Sequence, residues 1–360
     1  KKAAEKKAAE KKAAEKKAAE KKAAEKKAEE RSGSSNPVKL AGSAGSIANS
    51  NANIRLLLHT QNIRRSPVGE KIGGLLKRTP QWSNFFGPTE IDPVQDIDEV
   101  LIAGPQLRNS SNVVAVVQHH LPRSKIDAAM NALVARGGKW LDRKKRMVEA
   151  RADRAQRIFR APSDQLVVVV PPSAQKSALK MTGKERFPTP AAREILQARV
   201  TTPYRAFRGS KVPFPESIRW VSLSVREKSG GAVIHLAGED SSSSNAAAHA
   251  ILLEKLLQKG AVLELKRFGA AGTMLGFALG GMEHRLLNKI TMRSKDTMIL
   301  GEVEVEKQSL LKVLQILDLL LPPAVAPKTA QSVPQKNTQK DVTSEKAKRA
   351  SKETSGAASR

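Results

Sequence analysis

The chain has 360 residues, of which 40% are hydrophobic and only 3% aromatic, and its formal net charge is +28. This length allows one large domain or two ordinary ones, with a core built mainly from Leu, Val, Ile and Ala. The absence of cysteine excludes disulfides, thiolate metal sites and cysteine nucleophiles.

The positive charge is spread along the chain. Residues 1–31 carry 13 basic and 7 acidic side chains, and residues 326–360 carry 8 and 3. The two ends therefore contribute +6 and +5, which leaves +17 for the long region between them. A charge this diffuse argues against a dedicated nucleic-acid surface, although the basic ends keep that alternative open.

The two ends of the chain have low-complexity sequences. Residues 1–31 repeat the unit KKAAE, made of good helix formers, and a period of five advances about 140° around a helix. No apolar stripe forms, so we expect a semi-rigid helical stalk roughly 45 Å long. The small residues of 32–52 predict a flexible linker, and the Pro/Lys/Ser-rich residues 323–360 predict a disordered basic tail.

A first α+β unit is predicted over residues 53–182. Short runs rich in β-branched residues and bounded by turn formers favour strands, and apolar residues at helical spacing favour helices. The predicted strands are 53–59, 97–104, 112–119, 155–159 and 164–170, and the predicted helices begin at Pro67, Arg123 and Ser173.

A poorly patterned bridge, residues 183–213, separates this unit from a second one predicted over residues 214–322. The alternating segment 217–227 and the turn KSGG after it are typical of a β-hairpin. The order β-β-α-β-β-α then occurs twice, which suggests a duplicated unit. We predict an α+β fold of antiparallel sheets covered by helices. The remaining predicted elements are strands 232–239, 288–294 and 297–306 and helices 245–258 and 309–321.

Residues 52–322 contain a series of distinctive short motifs, namely Pro80–Gln81–Trp82, Phe85–Phe86, Ile91–Asp92–Pro93, Asp96–Ile97–Asp98, Ala103–Gly104–Pro105, ADRAQRIF, VVVVPPS, TTPYRAFRG and SIRWVSLSV. In these motifs the region resembles a group of uncharacterised proteins from myxobacteria and related bacteria, which are predicted to be exported or envelope-associated. This chain has FFGPTEIDP where the group more often has a T-G-[IV]-D-P turn. The resemblance implies an exported α+β domain without recognised catalytic residues.

The histidines favour structural roles over metal binding. His119 and His120 are neighbours on a predicted strand, so their side chains point to opposite faces and cannot share a metal ion. No second histidine or carboxylate lies at helical ligand spacing from either. The six histidines are His59, His119, His120, His235, His249 and His284.

Three further motifs resemble a calcium loop, a serine nucleophile motif and a phosphate loop. The acidic segment DPVQDIDE lacks the glycine and distal glutamate of a calcium loop, so we interpret Asp92, Asp96, Asp98 and Glu99 as turn-capping residues. SAQK and SALK in residues 173–180 match the Ser-x-x-Lys nucleophile motif, but its companion motifs are absent. The glycine-rich segment 269–281 does not match a phosphate loop, so we interpret it as a small-residue helix or loop packed closely into the core, with an apolar flap, a lipid-contacting patch or a partner groove as the alternative.

The densest basic stretch of the middle region is DRKKRMVEARADRAQR, residues 142–157. Acidic residues interrupt it, so we interpret it as a solvated face, with contact to phosphate or anionic lipid as the alternative. No catalytic, cofactor-binding or metal-binding residues are predicted, and no cofactor.

The sequence therefore predicts a non-catalytic protein of the periplasm or cell envelope that acts as a binding or scaffold module on a helical spacer. The expected partner is a protein or another envelope component. Because the sequence starts at Lys1 and not at a methionine, we expect the natural N-terminus upstream of it, where any signal peptide or membrane anchor would lie. The alternative is a cytoplasmic, nucleic-acid-associated protein that uses its basic tails.

Overall fold

The computed structural model describes residues 36–48, 52–78, 91–105, 112–152, 155–191, 193–207, 214–258 and 290–320. Within these residues, twelve strands form one antiparallel sheet in the order β11-β12-β10-β9-β8-β1-β2-β3-β7-β6-β5-β4. The predicted α+β class with a helix-covered antiparallel sheet is therefore confirmed. The strands are β1 Ile54–His59, β2 Ile97–Gly104, β3 Val114–His119, β4 Lys139–Asp142, β5 Met147–Ala152, β6 Ala155–Arg160, β7 Leu166–Val170, β8 Glu194–Thr201, β9 Trp220–Lys228, β10 Gly231–Glu239, β11 Thr291–Lys295 and β12 Met298–Val305.

The helices fill the connections between these strands. The longest, α4, α7 and α8, bring apolar residues at helical spacing to the sheet. Two short 3₁₀-helices, Gly42–Ile47 and Pro172–Ala174, accompany them. The α-helices are α1 Pro37–Leu40, α2 Thr60–Arg65, α3 Gly69–Lys77, α4 Arg123–Ala135, α5 Gln175–Lys180, α6 Pro203–Ala206, α7 Ser243–Gln258 and α8 Lys307–Leu320.

The sheet divides into two halves at the β1–β8 pair. The first half contains β1–β7 and the second contains β8–β12. In each half, three meandering strands lead into a long helix, and the chain returns so that its last strand pairs with the third. Four strands follow the long helix in the first half, and two described strands follow it in the second half. The order of elements is thus similar in the two halves but not identical, and the predicted duplication remains a hypothesis.

Helices pack on one face of the sheet in both halves, and we call this the helix face. Its main hydrophobic cluster includes Leu56 of β1, Val167 of β7, Leu223 of β9 and Val303 of β12. Helices α2, α3, α4 and α8 contribute buried or partly buried residues to this cluster. Helix α7 packs nearby on Ile299, which has the same orientation on β12 as Val303. The main core of the protein lies here.

Among the described residues, the chain segments that cover the opposite face lie on the first half. A second hydrophobic cluster joins Leu57, Leu101, Val116 and Val168 to α1, the first 3₁₀-helix and α5. Strand β7 is consequently buried along its whole length, which explains its uninterrupted sequence LVVVV.

Part of the predicted flexible linker, residues 36–48, is instead folded against the sheet. Asn36 accepts a hydrogen bond from the Val38 N–H at 3.2 Å at the start of α1. Ala41 and Ala44 are fully buried in the second cluster. The small residues that predicted flexibility here allow the chain to lie close to the strands.

The predicted bridge, residues 183–213, contains β8, which pairs with both β1 and β9 in the middle of the sheet. In β8, side chains should alternate between the two faces of the sheet, but a β-bulge interrupts this alternation, and Ile195 and Leu196 both pack toward the helix face. The regular two-residue period that would have predicted a strand is absent for this reason.

Candidate functional site: the polar face of the second half

The second half has polar side chains on the face opposite to its helices, and we call this surface the polar face. It continues onto the adjoining part of β1 and β2. Helices α7 and α8 contact β10 and β12 from the helix face. Six of the buried polar residues of the described chain share this surface: His59, Glu99, Glu194, Gln197, Ser222 and Ser224.

The bulge in β8 places two of these residues side by side. Because Ile195 and Leu196 both point to the helix face, Glu194 and Gln197 share the polar face. Gln197 Nε2 donates to Glu194 Oε2 at 2.8 Å, and Arg226 of β9 donates to Glu194 Oε1 at 2.9 Å. The Oε1 atom of Gln197 is buried without a hydrogen-bond partner among the described residues.

A buried pair joins β1 to β2 beside this network. His59 Nδ1 lies 2.5 Å from Glu99 Oε2, and Gln61 Nε2 donates to Glu99 Oε1 at 2.6 Å. Glu99 is 1% exposed and His59 is 4% exposed. Nε2 of His59 is buried, and it has no partner in the described part of the chain.

Two arginines face each other across the central strand pair. Arg55 of β1 and Arg199 of β8 are directly opposite in the register, and Ser222 of β9 is opposite Arg199 on its other side. The Arg199 guanidinium carbon lies 4.0 Å from the centre of the Trp220 ring. Like charges in directly opposed positions destabilise a sheet, so this pair is an unusual feature of its centre.

The electrostatics of the arginine pair reflect that arrangement. Burial lowers the pKa of Arg55, and burial together with the charge of Arg55 lowers the pKa of Arg199, which Glu239 partly offsets. Both groups remain charged at neutral pH, because the guanidinium group of arginine is not deprotonated in proteins. Two half-buried guanidinium groups beside a serine hydroxyl are suited to binding a carboxylate or a phosphate.

The outer part of the polar face carries a histidine–glutamate pair. His235 of β10 is opposite Ser224 and Glu302, and its Nδ1 lies 3.3 Å from Glu302 Oε2. Burial lowers the pKa of His235, and the carboxylate of Glu302 opposes this only in part.

The adjacent histidines of β3 point to opposite sides, as predicted. His119 is 2% exposed and faces the core, whereas His120 is exposed and lies 3.0 Å from Asp98 Oδ1. Among the described residues, no group of three histidine or carboxylate side chains could hold a metal ion. His284 lies outside the described residues.

His249, Asp240 and Ser217 form a group that resembles a Ser-His-Asp relay only in composition. Asp240 Oδ2 lies 2.6 Å from His249 Nδ1, and Ser217 Oγ lies 3.5 Å from the same nitrogen. A relay needs the serine and the carboxylate on different ring nitrogens. Burial opposes ionisation of Asp240, but hydrogen bonds from His249 and Ser217 outweigh it and lower its pKa. The group fixes the chain at the start of α7.

The acidic segment forms a turn, as the sequence predicts. Asp92 Oδ1 accepts hydrogen bonds from the N–H groups of Val94 and Gln95 at 2.8 and 2.9 Å, and Asp96 Oδ2 accepts one from the Asp92 N–H at 2.7 Å. Asp98 and Glu99 differ from this interpretation because both belong to β2. Asp98 pairs with Arg64 and His120, and Glu99 pairs with His59.

The two Ser-x-x-Lys motifs lie on the surface. Ser173 is at the second 3₁₀-helix, Ser177 is on α5, and the lysines that follow them, Lys176 and Lys180, are also exposed.

The basic stretch 142–157 is mostly the edge hairpin of the sheet, and it is not uniformly solvated. Arg146 is 8% exposed and pairs with Asp127 and Asp164 at 2.9 and 2.8 Å. Arg157 is 2% exposed and donates to the Val113 carbonyl. The interpretation as a solvated face is therefore wrong for these two arginines, which connect strands and loops.

Other predicted features lie outside the described residues. These are the stalk 1–31, the glycine-rich segment 269–281 and the tail 323–360. Among the described residues, no helix combines the length and the apolar character needed to cross a bilayer.

No family model and no curated protein matches the chain. Crystal structures of TP0453 are similar to it in overall architecture. Form I has a TM-score of 0.45 and 9% identity, with 79% of this chain and 98% of that chain covered. Form III has a TM-score of 0.45 and 10% identity, with 79% and 99% covered, and form IV has 0.42 and 9%, with 80% and 97% covered. A likeness at this level carries no conclusion about function.

Proposed function

We propose that the chain is a non-catalytic binding or scaffold module of the cell envelope, which recognises an acidic group of its partner with the polar face. The opposed pair Arg55 and Arg199 is the observation that carries this proposal. An anion that both guanidinium groups contact would offset the like-charge repulsion between them through charge-assisted hydrogen bonds. Ser222 is next along the same row of the register.

The surroundings of the pair support recognition over a purely structural role. On the same face of the first half, α1 and α5 cover apolar residues, as a structural core requires. The polar face instead buries Gln197, whose Oε1 atom has no hydrogen-bond partner among the described residues, and an unpaired buried polar atom costs free energy. A surface that keeps this cost is typical of a recognition site.

The non-catalytic part of the proposal is supported by how the described histidines are used. His59, His120, His235 and His249 each pair with a carboxylate, in four separate places. The pair most similar to a catalytic group, His249 with Asp240, has its serine on the wrong ring nitrogen.

The envelope setting is supported by the stalk-like repeat of residues 1–31 and by the resemblance of residues 52–322 to exported proteins. The alternative, nucleic-acid association, is favoured by the net charge of +28. The two can be separated by salt, because binding through the basic ends would weaken steeply as the salt concentration rises. Removal of residues 1–31 and 326–360 would abolish that binding while leaving the polar face intact.

Photo-crosslinking in the producing bacterium tests the proposal. A photoreactive residue replaces Glu302 on the polar face or, as the matched control, Glu70 on α3, since both glutamates are exposed. We expect a discrete crosslinked partner in the envelope fraction from position 302 and none from position 70. Arg199→Gln should reduce that product several-fold, whereas the exposed Arg293→Gln, with the same loss of charge, should not.

Two results would contradict the proposal. A chain that fractionates with the nucleoid and crosslinks equally from both positions would favour the nucleic-acid alternative. If the crosslinked partner is found in the envelope fraction but its amount is unchanged by Arg199→Gln, the proposed envelope location still holds. The arginine pair is then excluded as the recognition element.

A further inference from the structure

The guanidinium group of Arg199 is held in place by stacking. Its carbon lies 4.0 Å from the centre of the Trp220 ring, and the residue is half-buried on the polar face. A cation–π contact uses the flat face of a guanidinium group and not the N–H groups at its edge. Within the described residues, Arg199 donates no hydrogen bond and forms no ion pair. Its N–H donors therefore remain available to solvent or to the acceptor of a ligand.

The Trp220 ring is itself fixed by a carboxylate. Trp220 is buried, and its Nε1 donates to Glu239 Oε2 at 2.6 Å. The other carboxylate oxygen of Glu239 accepts a hydrogen bond from Arg219 Nη1 at 2.9 Å. Both oxygens of Glu239 are thus occupied, and Trp220 contacts Glu239 through the edge of its ring and Arg199 through the face.

Glu239 is a carboxylate of the chain itself that could occupy Arg199. The two residues lie on β10 and β8, two strands apart, which places their backbones about 10 Å apart across the sheet. An arginine and a glutamate side chain together can cover this distance. The charge of Glu239 already raises the pKa of Arg199 in part, so the two groups are close enough to interact. An ion pair between them would use the donors that an external oxyanion needs.

We propose that Trp220 is a positioning residue of the anion site, which keeps Arg199 and Glu239 apart. Its ring holds the Arg199 guanidinium flat, and its Nε1–H, together with Arg219, holds the Glu239 carboxylate away from that guanidinium. Arg199 is thereby kept available for the oxyanion of a partner, a carboxylate or a phosphate. The negative charge of Glu239 near the site limits the affinity for such an anion. This inference rests on the proposed function, because it concerns the same arginine pair.

The test follows Arg199 in the full chain, labelled with ¹⁵N in its arginines and titrated with phosphate at constant ionic strength. The Nε signal of Arg199 is identified by its loss in Arg199→Gln, which separates this site from the other basic groups. We expect a saturable shift of this signal in the parent chain. Trp220→Phe keeps an aromatic ring but has no N–H, so Glu239 can turn to Arg199, and phosphate should bind about fivefold more weakly. Acetate in place of phosphate then shows which oxyanion is preferred.

Glu239→Gln separates positioning from a structural effect. Its amide oxygen can still accept from Trp220 Nε1, but the competing charge is absent, so phosphate should bind at least as tightly as to the parent chain. In this background, Trp220→Phe should change the affinity by less than about twofold. A loss caused by poor folding of Trp220→Phe would persist in the double variant. Trp140→Phe, the matched change at a tryptophan whose ring lies 5.0 Å from the guanidinium carbon of Arg143, should leave the titration unchanged.

The proposal is overturned if Trp220→Phe binds phosphate and acetate as well as the parent chain does. It is also overturned if Trp220→Phe weakens binding equally in the parent and in the Glu239→Gln background. In both cases a shift of the Arg199 signal in the parent chain would leave the arginine pair as the anion site, so the proposed function would stand. If this signal responds to neither anion in the parent chain, the positioning role and the arginine pair as the recognition element are both excluded.

Discussion

The two halves of the sheet differ on the face opposite to the helix face. In the first half, Val116 and Val168 are fully buried under α1, the first 3₁₀-helix and α5. In the second half, the corresponding surface carries Gln197, Ser222 and Ser224, and the register places Ser222 opposite Arg199 and Ser224 opposite both Gln197 and His235. The helix faces of both halves, in contrast, belong to one continuous apolar core.

From this difference we infer that the first half contributes mainly to the stability of the fold and the polar face mainly to recognition. The first half meets the usual requirement of a sheet that is packed on both sides, and its interior strands are almost purely apolar. The second half obtains its apolar packing from α7 and α8 on the helix face, which leaves its other face available for polar groups. Changes in the first half should therefore affect mainly folding, and changes on the polar face mainly binding.

The largest expected effect is at the boundary of the two regions, where His59 pairs with Glu99. His59→Leu leaves the Glu99 carboxylate, 1% exposed, with Gln61 as its remaining side-chain partner in the described chain. Breaking one side of a buried pair costs about 3–5 kcal/mol of the free energy of unfolding. Chemical denaturation followed by circular dichroism measures this loss.

The double variant His59→Leu with Glu99→Leu is the control for this experiment. Since it removes both members of the buried pair, it should recover most of the lost stability. If the single and double variants are equally unstable, the cost arises from packing and the pair does not contribute as proposed.

The next effect compares one buried position from each half, both on the face opposite to the main helices. Val116→Ser removes apolar volume from the second cluster and buries a hydroxyl, and should cost about 2–4 kcal/mol. Ser224→Val, on the polar face, should change the free energy of unfolding by less than about 1 kcal/mol. Denaturation midpoints of the two variants check the comparison, and equal losses would mean that both regions are structural cores.

The third effect is a pH dependence that arises in the first half. The pKa of His119 is about 4 in the folded chain, below its ordinary value of 6.5, because of burial and, to a smaller extent, Arg146 and His120, while Asp98 and Asp164 oppose the shift. The unfolded chain then binds more protons between these pH values, so stability falls as the pH is lowered from 6.5 to 4. The loss should reach up to about 3 kcal/mol, measured as the free energy of unfolding against pH.

His119→Leu should remove most of this slope. Burial also lowers the pKa of His235 on the polar face, but its partner Glu302 partly compensates, so a smaller slope in the same pH range should remain. If the slope follows His235→Leu instead, the polar face and not the first half controls the response to acid.

Much of the fold could be predicted from the sequence, because a strand or helix that is buried on one or both of its faces has a clear pattern of apolar residues. Strand β2 matches its predicted range of 97–104, and α4 and α8 begin within two residues of their predictions. Strand β8 could not be predicted in the same way, because its bulge places Ile195 and Leu196 on one side.

The polar face could not be predicted, because it is assembled from strands distant in sequence. Arg55 and Arg199 are unremarkable within their segments, and only the β1–β8 pairing brings them together. The same holds for His59 and Glu99, which the sequence analysis treated separately. A basic side chain in the middle of an otherwise apolar run, as in IRLLLH, is the one local signal that could have indicated a special position.

The smallest expected effect tests the arginine pair itself. In low salt, Arg55→Gln removes one of two opposed charges, and the relief of their repulsion, about 0.5 kcal/mol, is set against the loss of the other contacts of Arg55. Phosphate should raise the free energy of unfolding of the parent chain more than that of the variant, since only the parent has both guanidinium groups. Chloride at matched ionic strength screens the repulsion without bridging the pair and should raise it by less. Identical responses to phosphate and chloride in both proteins would mean that Arg55 and Arg199 hold no anion between them, and recognition would then have to involve another part of the polar face.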